Sequence, residues 1–168
     1  MQKTIKHKTH VKGKGLHTGI ISTAYFLPAP TNTGIIFRRT DLINKPYINA
    51  SIKNVKATNR RTLLKNKNCS IETVEHLLAA IFSLSINNLI IEIDGPEIPI
   101  LDGSSKIFIE ILESANIIEQ NKQNKIIRLM NYFKVENTED NSKIEFFPND
   151  KLEIEVSIDY NSNVLKKQ

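Results

Sequence analysis

Ile71-Glu72-Thr73-Val74-Glu75-His76-Leu77-Leu78-Ala79-Ala80-Ile81-Phe82-Ser83-Leu84 is the stretch that decides the fold class. Val74, Leu77, Leu78, Ile81 and Phe82 fall at i, i+3, i+4, i+7 and i+8, one buried face of an α-helix. The spacing predicts a helix from about Ile71 to Leu84. Ser70 is placed to cap its start, and Glu72 suits the positive end of its dipole. With Val74 set at 0°, the apolar residues lie between about 300° and 80°, Glu75 lies near 100° and His76 near 200°. Beside His76 stand Ala79, Ala80 and Ser83, all small, where a solvated face usually carries long charged side chains. The expectation is a helix covered on both sides, with a glutamate and a histidine directed into the second interface.

Upstream of this helix the pattern is that of strands. Thr4 to Val11, Ile20 to Leu27 and Ile35 to Arg39 read as strands, separated by Gly13-Lys14-Gly15 and by the reversal Pro28-Ala29-Pro30-Thr31-Asn32-Thr33-Gly34. Two weaker strands fit Ser51–Ala57 and Thr62–Lys65, joined by Asn59-Arg60-Arg61. Downstream, Leu89 to Ile93 is β-branched enough to be a buried strand. Asp94 to Glu97 is a turn, and Asp102-Gly103-Ser104-Ser105 places a serine to cap a second helix, Lys106 to about Ser114. The polar segment Glu119 to Lys125 carries no periodicity and reads as a linker. Only strand signals follow: Ile126–Leu129, Tyr132–Glu136, Lys143–Phe147 and Leu152–Tyr160.

These signals define an α+β chain. Residues 1–120 suit a two-layer domain of a sheet and two helices, 121–125 a linker, and 126–168 the first strands of a second α+β domain. Those last strands have no helix to cover them, and a small sheet alone exposes an apolar face and open edges. The expectation is a chain that is part of a longer protein, or one on which another element packs.

Composition narrows the function classes. The chain has 168 residues, 40% hydrophobic and 24% charged, enough apolar material for a core. No apolar run approaches the roughly 20 residues of a membrane span. The start, Met-Gln-Lys-Thr-Ile-Lys, lacks the apolar stretch of a secretory signal, so the expected address is cytoplasmic. A single cysteine, Cys69, excludes an internal disulfide and a Cys-rich zinc module. The net charge of +5 would suit a polyanion or a phosphorylated substrate, but no basic stripe is interleaved with aromatics. Nucleic acid is therefore not an expected partner.

Glu75-His76 is the pair best placed for chemistry. One reading makes His76 a metal ligand and Glu75 the general base beside it. The other makes them a half-exposed pair on a surface helix, and on the dipeptide alone that is the stronger reading. Neither His-Glu-x-x-His nor its inverse is present, because position 80 is alanine and position 72 is glutamate. His7 and His10 point to opposite faces of a strand and are expected at the surface. His17, in a glycine-rich turn, either lines a site or hydrogen-bonds the turn. Asp102 reads as a turn and cap residue, and Arg38-Arg39 and Arg60-Arg61 as surface charge. A catalytic zinc needs about three protein ligands. One good candidate is present, so any site must borrow the others.

Several motifs in one order are more specific than any of them alone. They are Gly-Lys-Gly-Leu-His-Thr-Gly (13–19), Pro-Ala-Pro-Thr-Asn-Thr-Gly (28–34), Arg-Arg-Thr-Asp (38–41), Thr-Val-Glu-His-Leu (73–77) and Asp-Gly-Pro-Glu-Ile-Pro-Ile-Leu-Asp-Gly-Ser (94–104). With them the chain resembles the amino-terminal half of the UDP-3-O-acyl-N-acetylglucosamine deacetylases, zinc amidases of lipid A synthesis. The resemblance continues through Ile158-Asp159-Tyr160-Asn161.

It implies two α+β domains packed helix layer to helix layer, with the active site between them. It implies that His76 is a Zn2+ ligand, that Glu75 is the general base, that Leu16 borders the substrate passage, and that Arg61 and Thr62 approach the metal site. The other two zinc ligands, a histidine and an aspartate, a further catalytic histidine and the main acyl-chain and UDP contacts are implied to lie in a carboxy-terminal domain. That domain is absent from this sequence and is expected to cover the His76 helix face. The implied reaction is zinc-assisted hydrolysis of the N-acetyl group of a UDP-linked acylated amino sugar, with release of acetate. Two other readings stay open: the front of a bifunctional chain fused to a hydroxyacyl-carrier-protein dehydratase, and a non-catalytic basic binding module.

Overall fold

Alternation in Leu89-Ile90-Ile91-Glu92-Ile93 sets the centre of the molecule's main sheet. In the computed structural model, which describes residues 1–57, 60–139, 141–159 and 164, Leu89, Ile91 and Ile93 are fully buried while Ile90 and Glu92 are half-buried. The described chain divides into two compact units, Met1–Asn124 and Lys125–Gln168.

The first unit is built on β1 (Gln2–Ile5), β2 (Thr9–Lys14), β3 (Ile21–Pro28), β4 (Ile35–Arg39), β5 (Tyr47–Asn49), β6 (Val55–Ala57), β7 (Leu63–Lys65), β8 (Ser70–Glu72), α1 (Glu75–Ser83), β9 (Leu89–Ile93), α2 (Lys106–Ser114) and β10 (Ile117–Gln120). A five-stranded sheet runs in the order β2-β3-β9-β4-β5. Its pairings are antiparallel except β4 with β9, which is parallel. Phe37 opposes Ile91 and Phe26 opposes Ile91 from the other side, so the three inward side chains form one row. Leu77, Ala80 and Ile81 of α1 and Phe108 and Leu112 of α2 join this row in one apolar cluster. A three-stranded sheet β6-β7-β8 and a two-stranded sheet β1-β10 complete the unit. The α+β expectation holds: the described residues form several sheets and two α-helices.

Local differences from the sequence reading have physical causes. The expected strand Thr4–Val11 is broken at Lys6-His7-Lys8, because β1 pairs with β10 and β2 with β3. Ser51–Ala57 is half a 3₁₀ turn, Ile52–Asn54, and only then a strand. Glu119 and Gln120, read as the start of a linker, belong to β10 and face Lys3 and Gln2 of β1. Ile71 and Ser70 lie in β8, so the first helix begins at Glu75 and Ser70 does not cap it. Val74, Leu77 and Ile81 are buried as expected, and the stripe is centred further towards Ala80. Ala80 is in the core, and Phe82, assigned above to the buried face, is 66% exposed. Arg39, read as surface charge, is buried; it donates to both Asp41 oxygens and to the Ser70 carbonyl. α2 has the bounds the spacing predicts, with Ser104 Oγ accepting from the Lys106 N–H. Asp102 accepts from the Ser104 N–H in the turn before it.

In the second unit β11 (Phe133–Asn137) and β12 (Ser142–Phe146) form an antiparallel hairpin with Phe133 opposite Phe146. Nearly all of its side chains are exposed. Ile126–Leu129 and Leu152–Asp159 form no strand among the described residues. Asn59, Tyr160 and Asn161, to which expectations were attached above, lie outside the described residues.

Candidate functional site

Glu75 opens α1, where the free N–H groups and the helix dipole favour a carboxylate. Its Oε2 accepts a hydrogen bond from the Thr62 N–H at 3.0 Å. A charge-assisted bond of this kind fixes the carboxylate's orientation. His76 follows it and is half-buried, as is Glu75. Arg61 Nε lies 2.8 Å from Glu72 Oε2, an ion pair at close distance in which the N–H is not aimed at the oxygen. The structure thus brings Thr62 to Glu75 and Arg61 to the strand just before the helix.

Leu16 is 60% exposed at the tip of the β2–β3 hairpin. The hairpin closes with Gly15 N–H to the Ile20 carbonyl and Gly19 N–H to the Gly15 carbonyl. The His17 side chain is exposed, and its backbone N–H makes the bond. His7 and His10 are exposed, as expected, and the His10 ring tilts against Tyr25.

Sequence reasoning missed the residue that ties these pieces together. Glu97 is 1% exposed. It accepts from the His17 N–H (3.0 Å), the Thr18 N–H (2.8 Å), Thr18 Oγ1 (2.7 Å) and Thr73 Oγ1 (2.7 Å). Burial alone would raise its pKa, but these donors outweigh it and hold the carboxyl down at about 2. Room for it exists because residue 15 is glycine: a Cβ there would lie 2.4 Å from Glu97 Oε2. Thr73, its other partner, has φ 58°, a left-handed backbone at a β-branched residue. The available signal was a charged residue inside the apolar run Pro96-Glu97-Ile98-Pro99, which reads simply as a turn.

Among the described residues, no group of three or more His, Cys, Asp and Glu side chains is placed to hold a metal ion. His76 thus lacks, among the described residues, the two companions that a complete three-ligand site would need. A surface depression lined by Lys45, Tyr47, Asn66 and Asn68 contains none of the candidate residues.

Residues 2–168 match the family described as UDP-3-O-acyl N-acetylglycosamine deacetylase. The chain belongs to this family. It is 40% identical over 167 residues to the UDP-3-O-acyl-N-acetylglucosamine deacetylase of Brucella melitensis biotype 2, covering 99% of this chain and 58% of that protein. It is 38% identical over 167 residues to the bifunctional enzyme LpxC/FabZ of Porphyromonas gingivalis, covering 99% of this chain and 36% of that protein. The chain thus spans less than two thirds of the length of these curated relatives.

Proposed function

We propose that this chain carries the general base and one metal ligand of a zinc-dependent deacetylase that removes the N-acetyl group of a UDP-linked 3-O-acyl-N-acetylglucosamine in lipid A biosynthesis. The observation that carries the reading is Glu75 at the start of α1, held by the Thr62 N–H beside His76, in a chain of this family. His76 would hold the zinc together with ligands outside these 168 residues. When bound, zinc supplies Lewis-acid chemistry to water and to the acetamide carbonyl.

The chain's own residues do the rest. Glu75 accepts a proton from the attacking water at the oxygen not engaged by Thr62, and the Thr62 N–H keeps that carboxylate from rotating. The exposed Leu16 borders the substrate passage, and Thr62 and Arg61, the latter paired with Glu72, approach the metal site. No helix among the described residues is long and apolar enough to cross a membrane; the proposed place of action is the cytoplasm. The Porphyromonas relative carries a second reading, in which the same segment opens a bifunctional polypeptide.

The test joins residues 1–168 to the part of the Brucella relative that they do not cover and follows zinc content and acetate release. The joined chain should deacetylate the UDP-linked substrate. Glu75→Gln should keep its zinc and lose about 10²–10⁴ in turnover. His76→Ala should lose zinc on dialysis. No acetate release by the parent, or a parent-like rate for Glu75→Gln, would overturn the proposal.

A further inference from the structure

Two segments of the candidate site are far apart in sequence: the Leu16-His17-Thr18 hairpin tip and the start of α1. Glu97 connects them through its side chain. On one side it takes the His17 and Thr18 N–H groups and the Thr18 hydroxyl. On the other it takes the Thr73 hydroxyl. Thr73 in turn donates its N–H to the Thr62 carbonyl at 3.1 Å. The backbone of Thr62 then completes the path, since the N–H on the other side of its Cα holds Glu75 Oε2.

The backbone of Glu97 is fixed as well. Its carbonyl accepts from Ser22 Oγ at 2.7 Å, the Glu72 N–H bonds the Pro96 carbonyl, and the Ile98 N–H bonds the Glu72 carbonyl. The carboxylate therefore has little freedom to follow either segment if one moves. The left-handed Thr73 lies between β8 and α1 and sets the direction in which Glu75 leaves the strand. Such a conformation at a β-branched residue persists only where its surroundings enforce it.

We propose that Glu97 is a positioning residue with two separable arms: through Thr73 and Thr62 it orients the Glu75 carboxylate, and through His17 and Thr18 it fixes the hairpin tip that carries Leu16. The catalytic half of this statement rests on the reading of Glu75 as the base and Leu16 as a border of the substrate passage. The mechanical half does not.

Amide hydrogen exchange on the 168-residue chain tests the mechanical half. Thr73→Val keeps the branched shape and removes only the hydroxyl; it should speed exchange of the Thr62 amide about tenfold, the loss of roughly one hydrogen bond, and leave the Thr18 amide unchanged. Thr18→Val should do the reverse. Glu97→Gln should speed both. Exchange at Thr62 that ignores Thr73→Val, in a folded variant, overturns the proposal.

Kinetics of the joined chain described above test the catalytic half. Thr73→Val should lower kcat several-fold with KM nearly constant, and Thr18→Val should raise KM with kcat nearly constant. A purely structural role would lower the melting temperature of both variants without this split, and that outcome rejects positioning. If the parent releases no acetate, the deacetylase reading fails with the catalytic half, and the amide rates still decide the two-arm lock.

Discussion

Glu97 shows what a single buried carboxylate can require of its neighbours. Its pKa of about 2, against 4.5 for an ordinary glutamate, means that the folded state favours the charged form. The unfolded chain binds the proton more readily, so this contribution is fully present above about pH 4.5 and is lost as the pH falls towards 2. Its size is about 3 kcal/mol at most. Urea unfolding between pH 2 and 5 should therefore show a steep acid limb in the parent that is shallower in Glu97→Gln. Equal slopes would mean that the hydrogen bonds do not favour ionisation. Gly15 is the second half of the same arrangement. Gly15→Ala would put a methyl 2.4 Å from Glu97 Oε2 and 2.7 Å from Thr18 Oγ1, with no flexible group free to yield. We expect a loss of about 1–3 kcal/mol in urea unfolding, and an alanine variant as stable as the parent would show that the hairpin tip gives way. None of this was legible in the sequence. Glycine at 15 reads as a turn residue and Glu97 as another, and their proximity depends on how β2, β3 and the 94–99 turn meet. What was legible of Glu75 and His76 is their half-buried place on a helix, because adjacent residues on a periodic helix have a fixed angular relation; the roles proposed for them come from the family resemblance.

At the scale of elements, strands and helices with strong periodicity were readable, and those defined by a partner were not. β4 and α2 have the predicted bounds because their own residues set them. β5 and β8, three residues each, were not predicted; they exist because β4 and β7 present edges to them. The first helix was extended too far upstream because a 3.6-residue pattern cannot register that Ile71 opposes Leu64 in a sheet, nor that Thr73 turns the chain left-handed. The two-stranded sheet β1-β10 is attached by side-chain amides. Buried Asn88 donates to Gln2 Oε1 and Gln120 Oε1 and accepts from the Gly34 N–H, while Gln2 also binds Asn32. Asn88→Ala leaves these partners without it in a buried setting, which should cost about 2 kcal/mol. Urea unfolding checks this, and a change within about 0.5 kcal/mol would show that water replaces the amide.

For the whole molecule the deciding quantity is the number of donors available to a metal. Three protein ligands and an open position are what a catalytic zinc takes. The described residues offer His76 without two companions. On α1, Ala79 and Ser83, the small residues beside His76, are exposed, as is Phe82 at 66%. A lone imidazole holds zinc only weakly, because each lost ligand removes both a bond and the enforced geometry that excludes water. Glu75 would then face a freely hydrated ion instead of one fixed water. Purified residues 1–168 should accordingly lose added zinc on dialysis, and their acetate release from the UDP-linked substrate should fall at least about 10²-fold below that of the joined chain. His76→Ala should make no further difference to zinc retention in the 168-residue chain, whereas in the joined chain it should. Stoichiometric zinc retained by residues 1–168, together with turnover like that of the joined chain, would place the remaining ligands within this sequence or in a second copy of it.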